Sequence, residues 1–258
     1  MPAVKCTPDQ ERAIRHTAGP AQIIAGPGSG KTFVTVNRIR HLILEEGIAP
    51  DHILVITFTK AAALEMQQRF FTLMEGERPP VWFGTFHAIF YHILKQSAQY
   101  RGYTIITEAE RRKLIGQIIH MHRRFLYLQE EDKEEILTAI SSYKAGAKED
   151  TIQISKMTRE DFQFLTAEYQ SYLQEFGQFD FDDLMHKCLA MLREDTACLA
   201  RWQAQFRYIL VDEFQDISPV QYEIVRLLAA PDDNLFIVGD DDQSIYGFRG
   251  ASPDSMMR

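Results

Sequence analysis

Apolar residues along the chain recur in two rhythms, and the change between them divides it into three stretches. Up to about residue 88, short unbroken apolar runs stand apart from helix-like segments. The runs are AQIIAG (21–26), HILVITF (52–58) and VWFGTF (81–86), the last entered through Pro79-Pro80. Continuous rather than alternating runs predict strands covered on both faces. Between the first two, Val36, Ile39 and Ile43 share a helical face, and Gly47 stands where that helix should stop. A second helical stretch covers 60–74. This β-α-β-α-β order predicts a parallel sheet with helices on its faces.

From about Phe86 the rhythm becomes helical. Thr107 with Glu110 forms a capping box ahead of RRKLIGQIIHMHRR, and KEEILTAISSY (133–143) continues the pattern. Thr158 with Asp161 caps a long segment ending near Gly177, and FDDLMHKCLAML (181–192) is helical too. Strand signals return around Arg207, at YILV (208–211) and LFIVG (235–239). The expected organisation is an α/β domain over 1–88 and 200–258, interrupted by an all-helical insertion over 89–199. Such an insertion serves either as a spacer or as a lid, and its place after the third strand favours a lid or substrate guide.

Composition narrows the classes. No run of about 18 apolar residues occurs, so nothing predicts a membrane span. MPAVKCTPDQ lacks the basic-then-apolar pattern of a secretory signal, and Cys6, Cys188 and Cys198 have neither disulfide parity nor metal-ligand spacing. Both features point to the cytoplasm. The net charge of −8 argues weakly against a nucleic-acid coat protein but says little about one groove. RRK (111–113) and HMHRR (120–124) read as solvated helix faces or as part of a DNA-binding stripe.

The chemistry lies at the strand ends. Ala25-Gly26-Pro27-Gly28-Ser29-Gly30-Lys31-Thr32 follows a strand and opens a helix, the context of a phosphate loop. Its glycines let successive N–H groups face phosphate oxygens, and the helix N-terminus adds partial positive charge. Lys31 is expected to reach the β- and γ-phosphates of ATP, and the Thr32 hydroxyl to ligate Mg²⁺. Asp212 and Glu213 close the strand 208–211. In a nucleotide site the first would hold Mg²⁺ and the second would polarise the attacking water. Ser218-Pro219 reads as the cap and first residue of the next helix. Gln243, past the strand 235–239, is placed to contact the γ-phosphate. Tyr246, Phe248 and Arg249 suit base stacking, an inter-domain contact, or simply a packed turn.

Taken together, these residues resemble the UvrD/Rep/PcrA-type superfamily 1 DNA helicases over almost the whole chain. CTPDQ (6–10) is similar to the family's glutamine motif, which makes Gln10 the implied adenine reader. AGPGSGKT resembles the first motif, VDEFQD the second and VGDDDQSIYGFRGA the third. TFTKAAALEM (57–66) and GTFH (84–87) resemble DNA-contacting motifs, and DFDDL (180–184) the end of the family's helical insertion. The resemblance implies single-stranded DNA contacts from Phe58, Thr59, Thr85, His87 and Phe248. Exposed aromatics would stack bases while hydroxyls and imidazole meet phosphates. Phe58 also suits a strand core, and His87 a helix cap. The chain departs from the family at Lys60-Ala61, where Asn-Lys is usual, at Phe33, where many relatives carry Arg, and at Phe248, which replaces a frequent Trp.

The implied fold is a RecA-like P-loop NTPase sheet with a helical insertion. The implied activity is ATP-dependent, 3′→5′ DNA unwinding or translocation on single strands and single/double-strand junctions. Another P-loop ATPase or a non-catalytic DNA-binding module is the alternative. The family's second motor domain, with its arginines, is expected beyond Arg258. The chain itself would then bind Mg-nucleotide weakly and turn over little.

Overall fold

In the computed structural model of the chain, residues 6–147, 152 and 154–240 are described. They fall into two compact units, one built from Met1–Ile93 with Cys188–Arg258 and the other from Leu94–Lys187.

The first unit begins with α1 (Pro8–Arg15), β1 (Ala21–Ile24), α2 (Lys31–Leu44), β2 (Ile53–Thr57), α3 (Lys60–Leu73), β3 (Trp82–Thr85) and α4 (Phe86–Lys95). The second unit holds β4 (Thr104–Ile105), α5 (Glu108–Met121), α6 (Asp132–Lys144), α7 (Arg159–Glu175), β5 (Gln178–Phe179) and the start of α8 (Phe181–Glu194). The chain then returns to the first unit with α9 (Thr196–Gln205), β6 (Tyr208–Val211), α10 (Pro219–Ala229) and β7 (Leu235–Gly239).

Among the described residues the large sheet is parallel throughout, in the order β1-β7-β6-β2-β3. Its central strands are the unbroken apolar runs. Ile53, Leu54, Val55 and Ile56 are fully buried, because helices cover both faces of a parallel sheet. β1, at the edge, alternates between half-buried and exposed positions instead. Val34, Ile39, Leu42, Met66 and Phe70 from α2 and α3 pack with Val55, Leu210 and Phe236 from the strands into one core. The predicted caps form as read at Thr107, Thr158 and Ser218, and two features come in addition: Thr59 heads α3, and Gln221 completes a capping box with Ser218.

β6 and β7 arrive last in the chain yet lie between β1 and β2. That insertion brings the end of β6 two strand spacings, roughly 10 Å, from the end of β1. A residue pair far apart in sequence thereby shares one sheet edge.

The second unit packs Leu114, Ile115, Ile118, Ile136, Ile140, Leu165 and Leu173 from α5, α6 and α7. It is helical apart from a parallel ribbon of two residues a side, Thr104–Ile105 against Gln178–Phe179. A buried polar network runs through it. Tyr169 Oη accepts from Arg111 Nε at 3.0 Å and donates to Asp180 Oδ2 at 3.1 Å. Lys144 Nζ meets Asp180 at 2.7 Å and Asp183 at 2.9 Å, while Asp180 Oδ1 accepts the Asp183 N–H at 2.8 Å. Burial raises the Asp180 carboxyl, but the Lys144 ammonium outweighs it and holds the group below the ordinary carboxylate range. Breaking one member of a buried charge network leaves the rest uncompensated. Asp180→Ala is therefore expected to destabilise this unit by about 3–5 kcal/mol, read as a lowered urea midpoint in far-UV circular dichroism.

Candidate functional site

The loop between β1 and α2 is held open by its glycines. Gly28 and Gly30 have φ of 73° and 88°, in the left-handed region that side chains rarely adopt. A Cβ on Gly30 would also stand 3.0 Å from Gln10 Nε2. Gly30 caps α2 without any side-chain hydrogen bond, so the first-turn N–H groups of the helix lack intrahelical partners and present positive charge. The loop is pinned at both ends: Ala25 N–H donates to Gly239 O at 3.0 Å, and Ser29 N–H to Gly26 O at 3.3 Å. Gly26, Pro27, Gly28 and Ser29 are exposed, while Ala25, Gly30, Lys31 and Thr32 are half-buried.

A third tie comes from α1. Gln10 Oε1 accepts the Thr7 N–H at 3.0 Å as half of a capping box, and its Nε2 donates to Ser29 O at 2.9 Å. The amide orientation is fixed by these two partners, and each end keeps one unused hydrogen-bonding capacity. Sequence reasoning singled out Gln10 but missed the residue that anchors its helix. Arg38 is buried on the core side of α2, with its guanidinium over the Phe236 ring at 4.4 Å and hydrogen-bonded to His16 O. A cation at the C-terminal carbonyls of α1 complements that helix end. Burial lowers the Arg38 pKa to about 10. The available signal was an arginine four residues from Val34 and from Leu42, on an otherwise apolar face.

Opposite the loop, Asp212 follows the last residue of β6. Its N–H donates to Ile56 O at 2.9 Å, prolonging the pairing with β2. The next residue, Glu213, takes φ 53° and ψ 48°, a left-handed conformation that costs a non-glycine residue about 1–2 kcal/mol. The bend turns its side chain towards the loop, where Lys31 Nζ donates to Glu213 Oε2 at 3.2 Å across 182 residues of sequence. The loop lysine and the second acid after β6 thus meet in one place.

Asp212 is only 8% exposed, and its Oδ1 has no hydrogen-bond partner. Burial, with the neighbouring Glu213 charge, raises its pKa from 3.8 to about 6, against the opposing pull of Lys31. A buried, under-satisfied carboxylate beside a phosphate-binding loop fits a hard divalent cation. No cluster of three or more His, Cys, Asp or Glu side chains suited to a metal occurs among the described residues. Asp212 and Thr32 are the residues that would hold it, with phosphate and water completing the shell.

The same carboxylate destabilises the empty fold. Its folded pKa lies above the unfolded value, so the native state holds the proton longer, and stability falls as pH rises from about 4 to about 6. Asp212→Asn removes that penalty. It is expected to raise the stability of the nucleotide-free chain above pH 6 by up to about 3 kcal/mol while removing Mg²⁺-dependent nucleotide binding. Thermal melts at pH 5 and pH 8, with and without Mg-nucleotide, check both halves.

The expected DNA-facing residues lie on the same sheet edge, at its far side. Phe58 and Thr59 follow β2, Thr85 ends β3 and His87 sits in the first turn of α4. Thr57 and Thr85 are register partners, so the two segments leave the sheet side by side. Thr59 and Thr85 hydroxyls accept from Ala62 N–H at 3.1 Å and Ala88 N–H at 3.3 Å. Both therefore cap helices while keeping a hydroxyl proton to donate. Phe58 is half-buried just past the strand, and Thr59 is exposed. Gln243, Tyr246, Phe248 and Arg249 lie outside the described residues.

The family model described as the UvrD/REP helicase N-terminal domain matches residues 6–258. A putative ATP-dependent DNA helicase, YjcD of Bacillus subtilis, is 36% identical over 264 residues, covering 100% of this chain and 34% of that protein. The ATP-dependent DNA helicase PcrA of Leuconostoc citreum is 39% identical over 260 residues, covering 96% of this chain and 34% of its own length. PcrA of Staphylococcus epidermidis is 36% identical, with 96% and 35% covered. The chain thus spans about a third of the length of the curated relatives it matches.

Proposed function

The chain belongs to the UvrD/Rep helicase family through its N-terminal domain, and we propose that it is the ATP-binding motor region of a DNA helicase or translocase. The observation that carries this reading is the Lys31–Glu213 contact at 3.2 Å, which joins the phosphate loop to the acidic end of β6. On this reading 1–88 and 200–258 form the motor domain and 89–199 its helical insertion, acting in the cytoplasm. A second motor domain outside this sequence supplies the other wall of the ATP site.

Bound ATP sets the roles. The α2 N-terminus and the loop amides receive the phosphates, and Lys31 exchanges its contact with Glu213 for the β- and γ-phosphates. Glu213, released from that ion pair, orients and deprotonates the attacking water. Mg²⁺ held by Thr32 and Asp212 would neutralise charge developing on the phosphate oxygens. The spare donor and acceptor of Gln10 match the acceptor and donor on the adenine edge. Gln243 contacts the γ-phosphate. Phe58 and Phe248 stack bases of single-stranded DNA, with Thr59, Thr85 and His87 on the backbone. Movement is 3′→5′, as the family resemblance implies.

ATP hydrolysis by the full-length natural polypeptide, measured with and without single-stranded oligodeoxythymidylate, tests the reading. Stimulation by DNA supports it. Brisk hydrolysis indifferent to saturating DNA would instead point to another P-loop enzyme, and DNA binding without hydrolysis to a non-catalytic module.

A further inference from the structure

Gln215 stands three residues beyond Asp212 and is only 3% exposed, and both ends of its amide are used. Its Oε1 accepts the Asp240 backbone N–H at 3.0 Å, and its Nε2 donates to Glu213 Oε2 at 2.7 Å. An N–H can only donate, so the Asp240 bond fixes the amide orientation and leaves the NH₂ facing the carboxylate. The 3₁₀ turn Phe214–Asp216 folds the chain back and makes this reach possible. The backbone pairing between β6 and β7 stops at Val211 with Ile237. Beyond that point the Gln215 side chain continues the link between the two strands, satisfying a buried N–H that has left the ladder.

We propose that Gln215 is a positioning residue for hydrolysis: it holds Glu213 in place and ties it to the backbone where β7 ends. It rests on the functional reading above. Lys31 and Gln215 both donate to the same oxygen, Oε2. When phosphate takes Lys31, Gln215 becomes the donor that keeps the base aimed. Placement matters here, because an error of about 1 Å in a reacting group can cost about a hundredfold in rate.

Two substitutions separate the two bonds. Gln215→Leu removes both. Gln215→Glu keeps an acceptor for the Asp240 N–H but turns the donor facing Glu213 into an acceptor. In the full-length polypeptide, both variants are expected to lower the oligodeoxythymidylate-stimulated kcat by at least about tenfold, with KM for ATP moving less than about threefold. The loss should be as large in Gln215→Glu, which still holds Asp240, as in Gln215→Leu, because both lack the donor to Glu213. Affinity for a fluorescent ATP analogue and the melting temperature, measured on the same samples, expose a merely structural effect. The proposal is overturned if kcat is unchanged in both variants, or if it falls only in step with nucleotide affinity and Tm. A wild type that DNA does not stimulate would overturn the functional reading and this proposal together. A stimulated wild type with wild-type-like variants overturns the proposal alone.

Discussion

Alanine in place of Lys31 is expected to lower DNA-stimulated ATP hydrolysis by about a thousandfold in kcat/KM and to weaken Mg-nucleotide binding as well. The ammonium is the one side-chain cation placed in the phosphate loop, on the first residue of α2 and with its side chain only 12% exposed. Charge that builds on transferring phosphate oxygens in such a sheltered place is stabilised far more than it would be in water. The backbone of the loop should survive the change, because its shape rests on Gly28, Gly30 and the ties from Gly239 and Gln10. Losing the lysine also removes the cation that pulls down the Asp212 pKa, so a modest loss of nucleotide-free stability near neutral pH accompanies the kinetic defect. Steady-state hydrolysis, analogue binding and a thermal melt distinguish this pattern from unfolding, which would abolish all binding.

Glu213→Gln should show the complementary split. The amide is isosteric, tolerates the same left-handed backbone and can still accept from Lys31 and from Gln215. Nucleotide affinity is therefore expected to stay near wild type. The group can no longer take a proton from water, and kcat should fall by about 10²–10⁴-fold. Single-turnover hydrolysis in the presence of DNA reads the chemical step directly. A variant that hydrolyses at more than a tenth of the wild-type rate would remove Glu213 from the role of base.

Much of the fold was legible because the buried parallel strands write themselves as unbroken apolar runs. β2 and β6 fall where ILVIT and YILV stand, and the capping box at Thr107 and the cap at Ser218 form as read. Shorter or less periodic elements escaped. α1 begins inside the short CTPDQ segment, α9 has a single buried residue, and the β4–β5 ribbon has two residues a side. None of these offers enough apolar repeat to stand out from its surroundings. Strand order is a tertiary fact, set by helices packing on both faces, and nothing local in LFIVG announces that β7 enters between β1 and β6.

The site divides in the same way. Gly-Lys-Thr after a strand and Asp-Glu at a strand end are read from residue chemistry alone. The parts that aim them are not. Arg38, which anchors α1, and Gln215, which joins Glu213 to Asp240, act through partners 22 and 25 residues away. Glu213's left-handed backbone is likewise invisible in its residue type, since glutamate carries no preference for that region.

The phosphate loop and the acids that follow β6 are expected to form a single Mg-nucleotide site. Calorimetric titration of this 258-residue chain with a non-hydrolysable ATP analogue, with and without Mg²⁺, tests it most directly. The expected result is Mg²⁺-dependent binding that Lys31→Ala weakens and that loses its Mg²⁺ dependence in Asp212→Asn. Binding that ignores Mg²⁺ and both substitutions, or no binding by a folded chain, would contradict the account.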